Sequence, residues 1–409
     1  MNKFLKEFKD RGFFYQCTGE ESLSKLLDKE KINGYIGFDC TAESLHVGSL
    51  LQIMCLRLLQ KHGHRPIVLL GGGTTRIGDP SGKDKTRTML NEKDIEKNIK
   101  NIEKILKIFL DITNPKTKPI FVNNYSWLKD LNYISFLRDI GKHFTINKML
   151  SFDSVKTRLE REQSLSYMEF NYMILQAYDF LELNKKKNCV LQLGGSDQWG
   201  NIINGVDLIK RHSNKQAYGL TTPLITLASG AKMGKTESGA VWLDKKFLSS
   251  YDYWQFWRNI DDRDVLRFLK IFTDLSVNEI EKIKDLEINQ QKIILANKTT
   301  AMLHGEKEAK ASENTAKKTF SENSLGSLLP SISLNKDQLN KNLNIIELIL
   351  LSKLENSKSE IKRLINGGGV KINNQTINDE KMIITKPLFE DNFIKLSLGK
   401  KRHIKVEIF

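Results

Sequence analysis

The sequence predicts an α/β fold in which the strands of a parallel sheet alternate with helices. From about residue 35 to residue 230, short apolar runs alternate with longer stretches of helical periodicity; the runs are YIGFD, RPIVLLGG, KPIFVNN and KNCVLQLGG. This alternation is typical of a parallel sheet with crossover helices. Three strands run directly into polar or Gly-rich turns, GFDCT, LLGGGTTRIGDPSGK and LQLGGSDQWGN. Because ligands of such sheets bind beyond the carboxyl ends of the strands, we expect one site there.

Length and composition predict a globular cytoplasmic protein of two or three domains. The chain has 409 residues, which exceeds one ordinary core. No apolar run reaches the roughly 20 residues that span a bilayer, and the N-terminus MNKFLKEFKDRGFF lacks the apolar core of a signal peptide. We therefore expect no membrane partner. The cysteines are scattered without a Cys-x-x-Cys pair, which argues against a disulfide framework and against zinc.

The net charge of +15 favours a polyanionic partner, nucleic acid first and an anionic membrane second. The chain is also rich in Lys, Asn and Ile. Part of the excess of positive charge can therefore reflect this overall composition and not a binding surface.

The stretch LHVGSLLQIMCLRLLQKHG follows the first strand and predicts a buried helix that starts next to His46. A helix N-terminus after a strand binds anions, because its free N–H groups and its dipole point outward. Gly48 allows a nucleotide to approach the backbone, and His46 and Thr41 can donate hydrogen bonds to phosphate. Taken alone, a histidine next to a buried helix is more often structural.

The stretch AKMGKTESG, residues 231–239, has the composition of a cationic loop. Lys232 and Lys235 are spaced to reach a polyphosphate, where charge-assisted contacts matter most as charge develops. The frame of a Walker loop is missing. A lysine pair in a loop is, by itself, usually only solvated.

Together, the strand–His-x-Gly-x–helix turn and the Lys-Met-x-Lys-Thr stretch some 180 residues later resemble the class I aminoacyl-tRNA synthetases. The intervening MEFNYMILQAYDF and LGGSDQWGNI resemble the bacterial tyrosyl-tRNA synthetases, over essentially the whole chain. The tryptophanyl enzymes do not share the Tyr-x-x-x-Gln-x-x-Asp stretch in this form. A rival from another class is a non-catalytic RNA-binding protein on a synthetase scaffold, such as an intron-splicing factor, which predicts eroded catalytic motifs.

The resemblance implies a pocket for L-tyrosine. Tyr172, Gln176 and Asp179 fall at i, i+4 and i+7 on one helix face. The family places Asp179 and Tyr35 at the phenol, and places Asp79, Tyr172 and Gln176 at the ammonium group. Gln198 belongs near the carboxylate. Such a pocket rejects an analogue that lacks the hydroxyl, since its buried polar groups would be left unpaired.

The resemblance also implies an ATP site and a set of catalytic residues. The ATP-binding residues are expected to be Asp39, His46, Gly48, Ser49, Gly195, Asp197 and Lys235. The catalytic residues are expected to be Thr41, His46, Lys83, Arg87, Lys232, Lys235 and Thr236. Ser49 departs from the His-x-Gly-His pattern of the class. We expect it to alter a ribose-side contact with ATP and to leave activity in place.

The reaction implied is in-line attack of the tyrosine carboxylate on the α-phosphate of ATP, followed by transfer of the tyrosyl group to the terminal ribose of tRNA(Tyr). Catalysis is expected from positioning and from stabilisation of developing charge. ATP is a substrate, and Mg²⁺ should accompany it on the phosphates. The family works as a homodimer, and the same is expected here.

The expected domains are a Rossmann-like catalytic domain with an inserted dimerisation region (1–228), a helical domain that begins with the KMGKT loop (229–325), a linker (326–342) and a small α+β domain (343–409). The last resembles the RNA-binding domain named for small-subunit ribosomal protein four. Its sequence predicts a helix capped by Ser357 and Glu360 and two hairpins. The candidate RNA-binding residues are Lys358, Lys362, Arg363, Lys371, Lys400, Lys401 and Arg402. The alternative is a solvated face on a stabilising module.

Overall fold

A computed structural model describes residues 1–79, 90–231, 233–236, 239–321, 329–335, 338–339, 342–389, 391–399 and 402–408. Five predicted site residues lie outside this part of the chain: Lys83, Arg87, Lys232, Lys400 and Lys401. The chain forms two compact units, Met1–Leu248 with Asn259–Leu295, and Ser249–Arg258 with Ala296–Phe409.

Most of the described chain outside the sheets is helical. The helices are α1 Lys3–Asp10, α2 Glu20–Lys29, α3 Val47–Lys61, α4 Glu92–Phe109, α5 Tyr125–Leu128, α6 Tyr133–Asp139, α7 Ile146–Leu150, α8 Asp153–Glu160, α9 Tyr167–Lys187, α10 Trp199–Ser213, α11 Ser250–Arg258, α12 Val265–Phe272, α13 Val277–Lys284, α14 Ile288–His304, α15 Glu306–Ser321, α16 Ile345–Leu351 and α17 Lys358–Asn366. Within the described ranges, none of these helices combines the length and the apolar character needed to span a bilayer.

The first unit contains a six-stranded sheet, and this confirms the predicted fold class. Its strands are β1 Gln16–Cys17, β2 Asn33–Phe38, β3 Arg65–Leu70, β4 Ile120–Asn123, β5 Cys189–Gly195 and β6 Tyr218–Thr222. Their order is β1-β6-β5-β2-β3-β4, with β1 antiparallel to β6 and the other pairs parallel. The four predicted runs are β2 to β5. The sequence reading missed β6, whose Thr221 and Thr222 are fully buried despite their hydroxyls.

Helix α3 connects β2 to β3 and fixes the geometry of the site. Its side chains are apolar almost all round, and most of them are buried against the sheet and neighbouring helices. The helix ends at Lys61, and the chain turns away through Gly63, whose φ of +79° favours glycine. Helices α9 and α10 pack on the same sheet, where Tyr35, Ile67 and Phe180 share one buried cluster.

The second unit contains a five-stranded sheet. Its strands are β9 Ser331–Leu334, β10 Val370–Ile372, β11 Gln375–Thr376, β12 Phe393–Leu398 and β13 Arg402–Ile408, and their order is β11-β10-β12-β13-β9. The two predicted hairpins are present. Asn373 and Asn374 form the first turn with φ of +47° and +67°, a conformation that asparagine tolerates. In the first unit, β7 Lys235–Thr236 pairs with β8 Gly239–Ala240.

One part of the predicted linker forms a strand. Residues 326–342 were expected to form a linker, yet Ser331–Leu334 forms β9 and pairs in parallel with β13. Ile332 and Leu334 pack into the core of the second unit, so this short strand is held by burial. The surrounding residues are rich in Ser, Asn and Pro, so the alternation of polar and apolar residues in this short strand was not recognised in the sequence. The capping pair is also incomplete, because Ser357 caps α17 while the Glu360 carboxylate bonds Arg363.

Candidate active site

A cavity of about 550 Å³ opens at the carboxyl ends of β2, β3 and β5. Its walls bring together most of the predicted tyrosine and ATP residues: Tyr35, Asp39, His46, Gly48, Ser49, Asp79, Tyr172, Gln176, Asp179, Gly195, Asp197 and Gln198. Thr41 is exposed and is not among the lining residues. For Lys235 and Thr236 the structure describes the backbone alone.

At the deep end of the cavity, Asp179 is held by two donors. Asn124 Nδ2 donates to Oδ2 over 2.9 Å, and Trp127 Nε1 donates to Oδ1 over 2.7 Å. Burial raises the pKa of Asp179 to about 7, although both donors oppose this shift; the charge of Asp39 adds to it. Near pH 7 the side chain is therefore divided between its protonated and its charged form, and the charged form can accept another hydrogen bond.

The Tyr35 hydroxyl is buried beside this carboxylate. The Tyr35 ring is 1% exposed and packs on Phe180, with ring centroids 5.2 Å apart. Its hydroxyl has no hydrogen-bond partner within the described chain. Burial raises the pKa of Tyr35, and the nearby Asp179 charge adds to this effect. A buried hydroxyl without a partner costs about 1–3 kcal/mol, which a polar group of a ligand would offset.

A chain of amides lines another part of the cavity. Gln198 Nε2 donates to Asp79 Oδ2 over 3.0 Å, and Gln176 Nε2 donates to Gln198 Oε1 over 3.3 Å. Nearby, the Tyr172 hydroxyl donates to Asp39 Oδ1 over 3.4 Å. Helix α9 carries Tyr172, Gln176 and Asp179 on one face, as predicted. This one helix therefore contributes side chains to both groups of contacts in the cavity.

His46 caps α3 at a third position on the wall. Its Nδ1 accepts the Gly48 N–H over 3.0 Å. In the neutral ring, Nε2 then carries the proton and is a hydrogen-bond donor. A Cβ on Gly48 would lie 2.7 Å from His46 Cε1 and 3.0 Å from the Met233 carbonyl oxygen, so this position requires glycine.

The backbone of the KMGKT loop packs against the start of α3. Gly234 has φ of +96°, and a Cβ there would lie 2.8 Å from His46 Nδ1 and 2.9 Å from Gly48 N. After the loop, the Val47 N–H bonds the Val241 carbonyl and the Leu243 N–H bonds the Leu45 carbonyl. The two motifs that lie far apart in sequence are therefore neighbours in space.

The sequence reading missed the residues that hold the predicted carboxylates. Asn124 and Trp127 hold Asp179, and Thr74 donates to Asp39 Oδ1 over 3.4 Å. A signal was present, since the run KPIFVNN ends in two polar residues at the carboxyl end of a strand. Gln192 was also missed; it is 3% exposed, lines the cavity and has an unsatisfied Oε1 within the described chain.

In the second unit, the predicted basic face divides into two groups. Lys362, Arg363 and Arg402 already bond acids: Glu380 at 3.2 Å, Glu360 at 2.7 Å and Glu355 at 3.2 Å, respectively. Lys358 and Lys371 are exposed, and no described residue forms an ion pair with them. A search of the described residues for clusters of three or more His, Cys, Asp or Glu side chains able to hold a metal found none.

Comparison with known families covers almost the whole chain. Residues 27–321 match the family model described as tRNA synthetases class I (W and Y). Residues 323–406 match the model described as the tyrosine–tRNA ligase SYY-like C-terminal domain.

Individual proteins that the chain resembles belong to the same family as the matching models. The chain is 80% identical over 408 residues to the tyrosine–tRNA ligase of Pelagibacter ubique (strain HTCC1062), covering 100% of both chains. It is 55% identical over 412 residues to that of Wolbachia sp. subsp. Brugia malayi (strain TRS), covering 100% of this chain and 99% of the relative. The structure of a C-terminally truncated Aspergillus nidulans mitochondrial tyrosyl-tRNA synthetase matches with a TM-score of 0.70 at 31% identity, over 78% of this chain and 94% of that chain.

Proposed function

The chain belongs to the class I tRNA synthetases of the tryptophan and tyrosine group and is a tyrosine–tRNA ligase, and from this premise we propose which of its residues bind each substrate. The observation that carries the proposal is the position of the unsatisfied Tyr35 hydroxyl beside the Asp179 carboxylate at the deep end of the cavity. Asp79 lines the same cavity. Two carboxylates in one cavity suit the two polar ends of one amino acid.

L-Tyrosine enters with its phenol toward Asp179. The phenol O–H donates to the Asp179 carboxylate and accepts a hydrogen bond from the Tyr35 hydroxyl. Asn124 and Trp127 hold the carboxylate in place. Phenylalanine would leave both Asp179 and Tyr35 unsatisfied, so the pocket selects against it.

The ammonium group binds Asp79, with Tyr172 and Gln176 beside it. Gln198 already bonds Asp79, which orients that carboxylate before the substrate arrives. The Gln198 amide is also the group assigned to the substrate carboxylate. This order of contacts places the carboxylate toward the centre of the cavity.

ATP binds with its phosphates at the start of α3. The His46 Nε2–H supplies a neutral donor there, Gly48 leaves room for a phosphate to approach the backbone, and the helix dipole adds a partial positive charge. Gly195 and Asp197 line the side assigned to the ribose, with Asp39 and Ser49 nearby. Hydrogen-bond donors suit phosphate oxygens and do not coordinate a cation. Mg²⁺ would therefore be held by the phosphates of ATP, and the ion would neutralise part of their charge.

The cationic residues complete the phosphate site. This part of the proposal rests on the sequence motifs, with the packing of Gly234 on His46 in support. Lys235 and Thr236 are assigned to the departing pyrophosphate together with Lys232, Lys83 and Arg87, and Thr41 to the phosphates.

The first step forms a bond between a tyrosine carboxylate oxygen and the α-phosphorus, and breaks the bond from that phosphorus to pyrophosphate. A hydroxyl of the terminal ribose of tRNA(Tyr) then attacks the tyrosyl carbonyl, and AMP leaves while the hydroxyl proton passes to solvent or phosphate. No side chain forms a covalent bond. Catalysis is by positioning and by charge stabilisation.

A second copy of the chain is the proposed partner of an exposed apolar surface on α6 to α9. Tyr133, Ile134, Ile146 and Tyr167 are each between 57% and 71% exposed, which is unusual for large apolar side chains. The hydroxyls of Tyr133 and Tyr167 lie 2.8 Å apart, so the two rings form one patch. Sedimentation of Ile134→Asp should show a monomer where the unmodified chain is a dimer; an unchanged dimer would contradict this surface.

The second unit is proposed to bind tRNA(Tyr) through phosphate contacts, with Lys358 and Lys371 as its available cations. Lys362, Arg363 and Arg402 contribute less, since each already bonds an acid.

Pyrophosphate exchange driven by each amino acid in turn tests the whole assignment. We expect exchange with tyrosine and almost none with phenylalanine or tryptophan. Exchange driven by tryptophan, or by no amino acid, would contradict it. Pyrophosphate exchange driven equally by phenylalanine and tyrosine would contradict the roles given to Asp179 and Tyr35 in selecting the phenol.

A further inference from the structure

A row of three aromatic rings leads from the phosphate end of the cavity to the surface. The His46 and Trp242 ring centroids are 6.3 Å apart with planes at 64°, and the Trp242 and Phe247 centroids are 5.9 Å apart with planes at 51°. Both distances lie within the range of interacting aromatic pairs. Phe247 is 45% exposed, so the row begins at the catalytic helix and ends in solvent.

The backbone holds this row firmly. His46 and Trp242 form an antiparallel bridge, and the hydrogen bonds from Val47 to Val241 and from Leu243 to Leu45 flank it. After Trp242 the chain turns at Asp244, whose carbonyl accepts the Phe247 N–H over 3.0 Å. The backbone that carries the exposed ring is therefore tied to the backbone of His46.

Two positively charged side chains lie next to the aromatic rings in sequence. Lys245 and Lys246 lie directly before Phe247 and are exposed. The one acid of the turn, Asp244, directs Oδ1 at the Lys246 N–H over 2.9 Å, and its own N–H bonds Ser44 Oγ. The turn therefore places two exposed cationic side chains beside an exposed ring.

We propose that Trp242, Phe247, Lys245 and Lys246 form a stacking platform for the single-stranded 3′ end of tRNA on its way to the cavity. Aromatic faces stack on bases of any identity and cations track the phosphates, which is the combination that binds single-stranded nucleic acid. Continuity with His46 explains why such a platform lies here, because the terminal ribose must reach the tyrosyl group. The inference rests on the proposed function and names a tRNA contact that the proposed function leaves open.

Phe247→Ala is the direct test. We expect tyrosine-dependent pyrophosphate exchange to stay unchanged, because no tRNA takes part in it. The kcat/KM for tRNA in aminoacylation should fall roughly 5-fold or more, the effect of losing one base stack. Phe247→Tyr keeps the ring and should aminoacylate normally. Tyr15→Ala is the matched control, since Tyr15 is 54% exposed in the same unit but lies outside the row.

A tRNA transcript without its last three nucleotides separates this contact from the rest of the tRNA surface. The unmodified protein should bind the full transcript more tightly than the shortened one, and Phe247→Ala should reduce this difference by weakening binding of the full transcript alone. Lys245→Ala with Lys246→Ala should weaken binding of the full transcript alone, while Lys100→Ala on α4 should not.

Normal aminoacylation by Phe247→Ala, or an equal loss of affinity for both transcripts, would overturn the proposal. A change of oligomeric state in Phe247→Ala without any change in aminoacylation would assign the ring to contacts between copies instead, and would also overturn it. Failure of the proposed function looks different, because the unmodified protein would then show no exchange with tyrosine.

Discussion

The cavity of the first unit and the basic residues of the second unit are both polar, but their polar groups are organised in opposite ways. In the cavity, Asp179 is 1% exposed and held by two donors at fixed distances. In the second unit, Lys358 and Lys371 are exposed, and Lys362 is paired with an acid at the surface. Removing a buried group leaves its partners unsatisfied, whereas an exposed charge contributes a small and screened amount. Single substitutions should therefore be severe in the first region and mild in the second.

The largest effect is expected from Asp179→Asn. The amide keeps the volume of the side chain but cannot provide the charged acceptor for the phenol O–H. We expect kcat/KM for tyrosine in pyrophosphate exchange to fall by about 10³-fold, with reduced preference over phenylalanine. Glu182→Gln is the control, because Glu182 is also buried on α9 but does not line the cavity; losing its charge lowers the pKa of Asp179 and so should not reduce tyrosine activation. Retention of tyrosine activation by Asp179→Asn would remove the main contrast between the two regions.

Lys235→Ala tests whether the cation that we assign to the departing pyrophosphate behaves like the buried groups. The transition state gains charge at the departing pyrophosphate, and losing one donor there should slow adenylate formation by roughly 10²-fold. Binding of tRNA should change little. Single-turnover measurements with a filter assay for tRNA binding would distinguish the two, and an unchanged activation rate would refute the assigned role.

Trp127→Phe should have a smaller effect that depends on pH. The Trp127 N–H favours the charged form of Asp179, whose pKa is nevertheless raised to about 7 by burial. In the unmodified protein, KM for tyrosine should therefore rise as the pH falls below about 7, where the carboxyl becomes protonated. Without the donor, the pKa rises further, so the increase in KM should begin at a higher pH.

At neutral pH, Trp127→Phe should lower kcat/KM for tyrosine by about tenfold, the scale of one hydrogen bond to a charged group. A KM for tyrosine that does not vary between about pH 6 and about pH 8 in either protein would contradict the role given to Asp179 protonation.

Lys371→Ala probes the exposed region. We expect tyrosine activation to be unchanged and tRNA affinity to fall only a few-fold, with the salt dependence of binding reduced by about one phosphate contact. Lys362→Ala is a useful comparison, since Lys362 already pairs with Glu380 and should matter less. A loss of tRNA binding as large as that expected for the cavity variants would erase the difference between the two regions.

The smallest effect is expected from Ser49→His. Ser49 lines the cavity three residues after His46, where the class has a second histidine. The serine side chain is shorter than histidine and carries no charge, but it still offers a hydrogen bond, which we expect on the ribose side. Restoring histidine should therefore change KM for ATP only modestly. A change of several orders of magnitude in turnover would show that this turn has a different role.

Much of the fold and of the site could be predicted from the sequence because the signals are local. The apolar runs that became β2 to β5 and the helical spacing of Tyr172, Gln176 and Asp179 depend on short-range periodicity. The packing of the KMGKT loop on His46 could be inferred only through the family resemblance. Strands β6 and β9 were not predicted from local composition. Thr222 belongs to a strand because it is buried within the sheet, and the exposed Ser331 because it pairs with Lys405 on β13.

The sequence by itself determined the fold class, the family and the residue types at the site. Only the tertiary structure decided how those residues are held. Asn124 and Trp127 reach Asp179 across more than 50 positions, and Glu380 reaches Lys362 from a different element. Such contacts form between side chains whose sequence positions carry no shared periodicity, so pattern alone cannot identify them. The same reason applies to the row from His46 through Trp242 to Phe247, which exists only because the chain brings the turn after β8 back to the start of α3.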